Sequence, residues 1–207
     1  MPIPRSLLPF VLVLVSAAPS LGQLTVDATG PIRNRTREAT RSSGGGVGRK
    51  LPLQVAIKAT ISAPDENGRT LIEFILTNSG AKALTLPVSP HSANLEPSDP
   101  RVAYTVLTLG LRVFLGKKPG VIFPGGADLY GTVSVPATVV TLAPGDSIRV
   151  LTKVAMSGSE SETFVATASL NNETLRTVKG ELLLESQEIG FATSGEYTLD
   201  SLRRNHD

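Results

Sequence analysis

Few residues of this sequence have the type and spacing that enzymatic chemistry requires. Hydrolysis by a serine nucleophile needs a histidine base that an acid holds in place. The chain has two histidines, His91 in a proline-rich segment and His206 beside the last residue, and no Gly-x-Ser-x-Gly elbow accompanies either. Cysteine is absent, which excludes a cysteine nucleophile and a thiolate metal site. The sequence predicts a protein that is not an enzyme, with a hydrolase of unknown type as the alternative.

Carboxylates are the side chains that could form a binding site for a metal ion. If each strand crosses the fold once, the loops at 62–69, 88–101 and 157–162 emerge at the same end. Ca²⁺ takes six to eight oxygen ligands and accepts flexible loops. The alternative is that these carboxylates stay hydrated, because no Asp-x-Asp-x-Asp spacing is present. No other cofactor is predicted. The calcium candidates are Asp65, Glu66, Glu96, Asp99, Glu160 and Glu162.

Phosphate and nucleic-acid binding are not indicated. The segment "GGGVGRK" (44–50) lacks the spacing and the following Ser or Thr of a phosphate-binding loop. Residues 51–207 hold 13 basic and 16 acidic side chains, and the chain has only six Phe, three Tyr and no Trp. Single-stranded nucleic acid requires a basic groove with aromatic stacking partners. No nucleic-acid partner is therefore predicted.

The N-terminal segment predicts export. Arg5 precedes an apolar run from Leu7 to Val15, and Ser20 and Gly22 occupy the positions that a signal peptidase reads. We expect residues 1–22 to be a signal peptide cut before Gln23, with an uncut membrane anchor as the alternative. No later segment is long and apolar enough to predict a transmembrane helix. An exported domain without disulfides indicates a bacterial protein, periplasmic or secreted.

The basic charge of the chain is concentrated in residues 23–50. This segment carries six basic and two acidic side chains, little apolar content and a triple glycine. Such a composition is typical of a disordered leader. It could contact an anionic lipid or polysaccharide, and the alternative is a solvated linker.

A period of two in the apolar residues dominates from residue 51 onward. "LPLQVAIKATI" (51–61) and "TLIEFILT" (70–77) both place apolar residues at alternate positions. Turn signals separate these segments, among them Asp65-Glu66-Asn67-Gly68 and Asn171-Asn172. Residues 51–185 therefore predict an antiparallel β-sandwich of about seven to nine short strands. Residues 186–207 predict either a loose tail or a last strand.

The segment "TLAPGDSIRV" (141–150) predicts a corner of the sheet. Pro144 suits the second position of a type II turn, and Gly145 supplies the positive φ that the third position requires. Asp146 or Ser147 can hydrogen-bond a free backbone amide where the next strand begins. This cluster has a structural role and predicts no chemistry.

Two hairpin motifs carry a resemblance to a family. The strand–Pro-Gly-Asp–strand pattern at 141–150 and the strand–Asn-x-Gly–strand pattern in "FILTNSGAKALTLPVSP" (74–90) resemble exported immunoglobulin-like domains of bacteria. The resemblance covers roughly residues 51–185. It implies an all-β, immunoglobulin-like fold and a role as a binding or spacer module at the cell envelope, with a protein or an envelope polysaccharide as partner.

The long loop at 87–101 supports an alternative function. One branch of these domains resembles bacterial proteinase inhibitors. Four prolines would stiffen the loop and lower the entropy lost on binding. A proteinase-inhibitor-like module that presents this loop is therefore the alternative. The prolines are Pro87, Pro90, Pro97 and Pro100.

Overall fold

The described part of the chain folds mostly into β-strands, as its apolar period predicts. The structure is a computed structural model that describes residues 24–29, 40–42, 52–88, 103–115, 118–132, 139–155 and 163–204. These residues form eleven strands and one short helix. In chain order they are β1 (Leu24–Asp27), β2 (Thr40–Ser42), β3 (Val55–Ile61), β4 (Arg69–Asn78), β5 (Leu84–Leu86), β6 (Ala103–Leu115), β7 (Lys118–Thr132), β8 (Val140–Leu142), β9 (Ser147–Ala155), β10 (Thr163–Val178), β11 (Glu181–Thr198) and α1 (Leu199–Arg204).

The strands form two larger sheets and one small one. Sheet A has the order β1-β9-β4-β3, sheet B has the order β2-β11-β10-β6-β7, and β5 pairs with β8. Most pairs are antiparallel, but β1 joins β9 and β2 joins β11 in parallel. At one side of the molecule β7 packs on β9, and at the other side β11 packs on β3. Sheets A and B therefore face each other over most of their width.

One apolar core lies between sheets A and B. In β3 and β4 every second residue is buried, which is the alternation expected of strands that cover a core on one face. Phe74 of sheet A and Phe164 of sheet B are both 0 % exposed and belong to the same cluster. Burial of an aromatic or aliphatic side chain of this kind contributes about 1.5–3 kcal/mol. The alternation read from residues 51–61 and 70–77 thus reflects the core.

Residues 23–50, predicted as a disordered leader, and residues 186–207, predicted as a loose tail or a last strand, both contain ordered elements. The leader prediction for 23–50 is wrong for Leu24–Asp27 and Thr40–Ser42, which are strands at the edges of sheets A and B. The tail at 186–207 is a strand up to Thr198 and then helix α1. A strand of three or four residues is too short to show a clear period of two. Its conformation depends on the hydrogen bonds of its partner strand, which the local sequence does not show.

The strands of sheet B are longer than the turn signals predict. Asn171-Asn172, predicted as a turn, lies inside β10, where the pairing with β11 only shifts register between Leu170 and Asn171. The turn of this hairpin is Lys179-Gly180, with φ of 52° and 84°. Positive φ at both central residues is the geometry of a type I′ hairpin turn. Pairing on both sides of β10 overrides the local preference of the two asparagines.

Helix α1 closes the core next to β3 and β11. Its N-terminus is capped reciprocally, since the Ser201 amide donates to Oγ1 of Thr198 (3.2 Å) and the Thr198 amide donates to Oγ of Ser201 (2.8 Å). Leu199 and Leu202 are 8 % and 0 % exposed and belong to the core cluster. The capped turn therefore directs both leucines into the core.

A buried asparagine joins the two motifs that carry the resemblance. Asn78 ends β4 and is 2 % exposed. Its side-chain amide donates to the carbonyl oxygens of Lys82 and Leu142, both at 2.9 Å, and its Oδ1 accepts from the Gly80 amide at 2.9 Å. Its backbone N–H and C=O pair with Asp146 and Gly145. All hydrogen-bonding groups of Asn78 are engaged, so one residue connects loop 79–83 with turn 143–146.

Turn 143–146 has the geometry of a type II turn. The Asp146 amide donates to the Ala143 carbonyl at 3.0 Å, and Gly145 has a φ of +86°. Oδ2 of Asp146 accepts from the Ala143 amide at 3.0 Å, which satisfies a donor at the end of β8. Each residue of this turn has a backbone role.

We expect Asn78→Ala to destabilise the fold by about 2–4 kcal/mol, because three hydrogen bonds are lost and a buried carbonyl is left unsatisfied. For a chain of this length the melting temperature should fall by roughly 5–15 °C. Thermal unfolding followed by circular dichroism measures the change. Asn67→Ala, at an exposed turn position, is the control and should shift the melting temperature little. Equal shifts for the two variants would contradict the central role of Asn78.

Gly145→Ala should cost about 1–2 kcal/mol, because a side chain at φ +86° is strained. The added Cβ would meet no atom within 4 Å, so the cost reports the backbone conformation alone. Gly195→Ala is the matched control, since its Cβ also meets nothing within 4 Å and its φ is not positive. Chemical denaturation of both variants distinguishes them. A Gly145 variant as stable as the control would show that the turn tolerates a side chain.

Candidate binding surface

The outer face of sheet A presents partly exposed and exposed side chains on which a partner could dock. Alternate residues of β3, β4 and β9 point away from the core, opposite to the buried set. The surface combines aliphatic and charged side chains at neighbouring positions. Its members are Ala56, Lys58, Thr60, Leu71, Glu73, Ile75, Thr77, Arg149, Leu151 and Lys153, and they are called the outer face of sheet A below.

An ion pair lies at the centre of this face. Ile75 is the register partner of Arg149, and Glu73 is that of Leu151, so Glu73 and Arg149 are diagonal neighbours. Nη2 of Arg149 lies 2.5 Å from Oε2 of Glu73. This hydrogen bond, together with the charge of Glu73, raises the pKa of the Arg149 guanidinium. The Arg149 side chain remains 40 % exposed, against 14 % for Glu73, so the guanidinium is held in place and still accessible.

Aliphatic side chains flank the ion pair. Leu71, Ile75 and Leu151 are each partly exposed and lie on the outer face although their strands already bury a full inner face. The solvent face of an antiparallel sheet is normally polar. In "TLIEFILT" (70–77), apolar residues stand at both odd and even positions. This pattern is the sequence signal of a second, partly apolar face, and no predicted site included it.

The loop between β3 and β4 borders one end of the face. Oδ1 of Asp65 accepts from the backbone amides of Asn67 (3.0 Å) and Arg69 (2.9 Å). Oδ2 of Asp65 lies 3.5 Å from Nζ of Lys153. The Arg69 amide is the largest cause of the lowered pKa of Asp65, the Asn67 amide and Lys153 act in the same direction, and desolvation opposes them. Gly68, at φ +69°, completes the turn. Asp65 is thus a structural residue of this loop.

The structure describes two of the six calcium candidates. Asp65 is engaged as above, and Glu66 is exposed in the same turn. Glu96, Asp99, Glu160 and Glu162 lie outside the described residues, so the calcium site stays a prediction. Within the described ranges, no group of three or more His, Cys, Asp or Glu residues is arranged to hold a metal ion.

The other sequence-based candidates fall mostly outside the described part of the chain. Loop 87–101 is described only at its start, where Pro87 and Val88 follow β5 and are buried. His91 and His206 are not among the described residues, and neither is the predicted signal peptide. No helix in the part that the structure describes is long and apolar enough to cross a membrane.

A second polar contact lies on the outer face of sheet B. The guanidinium carbon of Arg112 is 5.8 Å from the centre of the Phe191 ring, a cation–π distance. β10 lies between β6, which carries Arg112, and β11, which carries Phe191. Gly110 of β6 is the register partner of Thr167 of β10, whose Oγ1 lies 3.3 Å from the Gly110 carbonyl oxygen. Both Gly110 and Thr167 are buried. This contact therefore packs the Arg112 side chain against a ring of sheet B.

Comparison with known proteins does not identify a family. No family model matches the chain, and no curated protein matches it. A solved structure described as an X-ray structure of Northeast Structural Genomics Consortium target SoR45 is similar at 12 % sequence identity. The match covers 69 % of this chain and 87 % of that chain, with a TM-score of 0.27. A similarity of this size carries no argument about fold or function.

The lowered pKa of Asp65 predicts an acid-dependent loss of stability. A carboxyl group whose pKa is lower in the folded than in the unfolded state stabilises the fold above its unfolded value of about 3.9. This stabilisation is lost as the pH falls through the folded value. We expect Asp65→Asn to lower the melting temperature at pH 6 and to differ less from wild type at pH 2.5. The exposed neighbour variant Glu66→Gln is the control. A difference that is the same at both pH values would exclude this role of the carboxylate.

Proposed function

We propose that the protein is a non-enzymatic, exported binding module of immunoglobulin-like architecture, which acts as a binding or spacer domain at the cell envelope. The outer face of sheet A holds its partner, and the partner is a protein. The observation that carries the proposal is the combination of the partly exposed Leu71, Ile75 and Leu151 with the Arg149 side chain, which is 40 % exposed. Apolar contact with an arginine at its centre is typical of energetically important positions in protein interfaces.

The remaining parts of the proposal have separate support. Two sheets around one core support an immunoglobulin-like arrangement. The signal-like segment at 1–22 supports export. Asp27, Asp65 and Glu73 each hold local structure through a hydrogen bond or an ion pair, and we propose no catalytic role for these three carboxylates.

The dimensions of the face predict a weak or extended interaction. Three strand spacings of about 4.8 Å and seven residues at about 3.3 Å give an area of roughly 300 Å². A standard interface buries about 800 Å² on each partner. Binding through this face alone is therefore transient, and tighter binding requires neighbouring loops to contribute.

Binding of the purified mature chain to the envelope fraction of the producing cells tests the proposal. We expect saturable binding, and we expect Ile75→Glu to reduce affinity roughly 10- to 100-fold, because the loss of one buried aliphatic contact is worth about 1.5–3 kcal/mol. Thr193→Glu is the matched control, because Thr193 is an exposed strand residue of sheet B and not of this face. Both variants should keep the melting temperature of the wild type.

Three outcomes would contradict parts of this proposal. Equal binding by the two variants would exclude the outer face of sheet A as the binding surface. Turnover of an ester, glycan or peptide substrate would show that the protein is an enzyme. Tight, saturable inhibition of a protease, abolished by substitutions in loop 87–101, would favour the proteinase-inhibitor-like alternative.

A further inference from the structure

The first described strand of the chain is an added edge of sheet A. β1 pairs in parallel with β9, with Leu24 opposite Ile148 and Val26 opposite Val150. The Ala28 amide extends the pairing by donating to the Leu151 carbonyl at 2.8 Å. β1 is four residues long, and β9 is also paired with β4 on its other side. The edge of β9 therefore acts as an acceptor for one short extended strand.

The side chains of β1 complete the core at this edge. Val26 and Ala28 are 0 % and 3 % exposed, and Leu24 packs against the same cluster. Asp27 faces the other way and ends the strand, because its Oδ1 accepts from the Thr29 amide (2.9 Å) and hydroxyl (2.6 Å). The positive charge of Lys153 acts on Asp27 from β9. The acceptor edge thus fits an apolar–polar–apolar–acidic–small pattern read from Leu24 to Ala28.

β1 and β2, which follow each other along the chain, lie at opposite edges of the two sheets. β1 lies beside β9, which packs on β7, whereas β2 is the opposite edge of sheet B. Residues 28–39 join them, and twelve extended residues reach about 40 Å at most. No other strand in the described residues lies between β1 and β2 along the chain. β1 can therefore leave its site without displacing another strand that the structure describes.

We propose that the edge of β9 is a strand-acceptor site that takes β1 from a second copy of this chain. The second copy is the occupant for which the fit is already visible, since it brings the same Leu24, Val26 and Asp27 to the same edge. Two copies that exchange β1 form a symmetric dimer in which each completes the core of the other. This site is distinct from the outer face of sheet A and goes beyond the proposed binding function.

Concentration controls this exchange. The exchanged and unexchanged forms contain the same strand contacts, so they differ mainly in how the strand is tethered. Because β1 is tethered to its own site, its effective concentration there is of the order of millimolar. The dimer therefore forms when the chain approaches millimolar concentration and the edge is opened by mild denaturation and cooling.

The absence of cysteine from the chain allows a direct test. Mature chains carrying Thr25→Cys are mixed with chains carrying Arg149→Cys, taken through partial denaturation and cooling, and then oxidised. Thr25 and Arg149 are register partners, and neighbouring strands lie within disulfide distance. We expect a mixed disulfide between copies, with a yield that rises about 100-fold between 10 µM and 1 mM chain because the ratio of dimer to monomer follows mass action.

Thr25→Cys mixed with Lys58→Cys is the matched control. Lys58 also lies on the outer face of sheet A, but β9 and β4 separate it from β1. This pair should give a yield at least tenfold lower. Size-exclusion chromatography with light scattering of the wild-type mature chain after the same cycle provides a measurement without substitutions, and Val26→Asp should remove the dimer. Monomer alone at 1 mM, a dimer without the Thr25–Arg149 disulfide, or equal yields in the two mixtures would each overturn the proposal.

Discussion

The hydrogen bonds of Asn78 are the constraint on which the arrangement of the strands around β4 depends. This amide contacts the segment before β5 and the end of β8, and its backbone contacts the turn that starts β9. A slip of one residue between β4 and β9 would break these bonds and turn Phe74 outward, because side chains alternate between the two faces. Polar satisfaction and apolar burial therefore select the same register, and neither is satisfied in a shifted one.

The register that buries the inner face of β4 also determines what the outer face presents. With Ile72 and Phe74 in the core, Glu73 and Ile75 must face outward beside Leu151 and Arg149. Because these side chains stand on paired strands, their relative positions change little, and little conformational entropy is lost when a partner contacts them. A rigid surface of modest area favours rapid and reversible association over permanent assembly.

The sequence predicts the features of this fold that depend on residues close together in the chain. It does not predict which distant strands pair with each other. The alternation at 51–61 and 70–77 and the glycines with positive φ at 68 and 145 can be read directly, because each depends on residues close in the chain. The length of the β10–β11 hairpin could not be predicted from the sequence. Strand β10 continues through Asn171-Asn172 because it is paired with β11 on one side and β6 on the other. Strands β1 and β2 could not be predicted either, because each is held by a parallel partner that is far away in the sequence. For the proposed binding surface, the sequence signal is the apolar residues at both parities of 70–77, whereas the position of Arg149 beside them follows only from the strand register.

The parallel pairing of β1 has a consequence for the order in which the molecule assembles. A chain made from its N-terminus presents Leu24–Asp27 early, but the acceptor edge does not exist until β9 has been made and has paired with β4. Contacts between residues so far apart in sequence form slowly, because the long intervening loop must close first. The beginning of the chain is therefore the last part of sheet A to become protected.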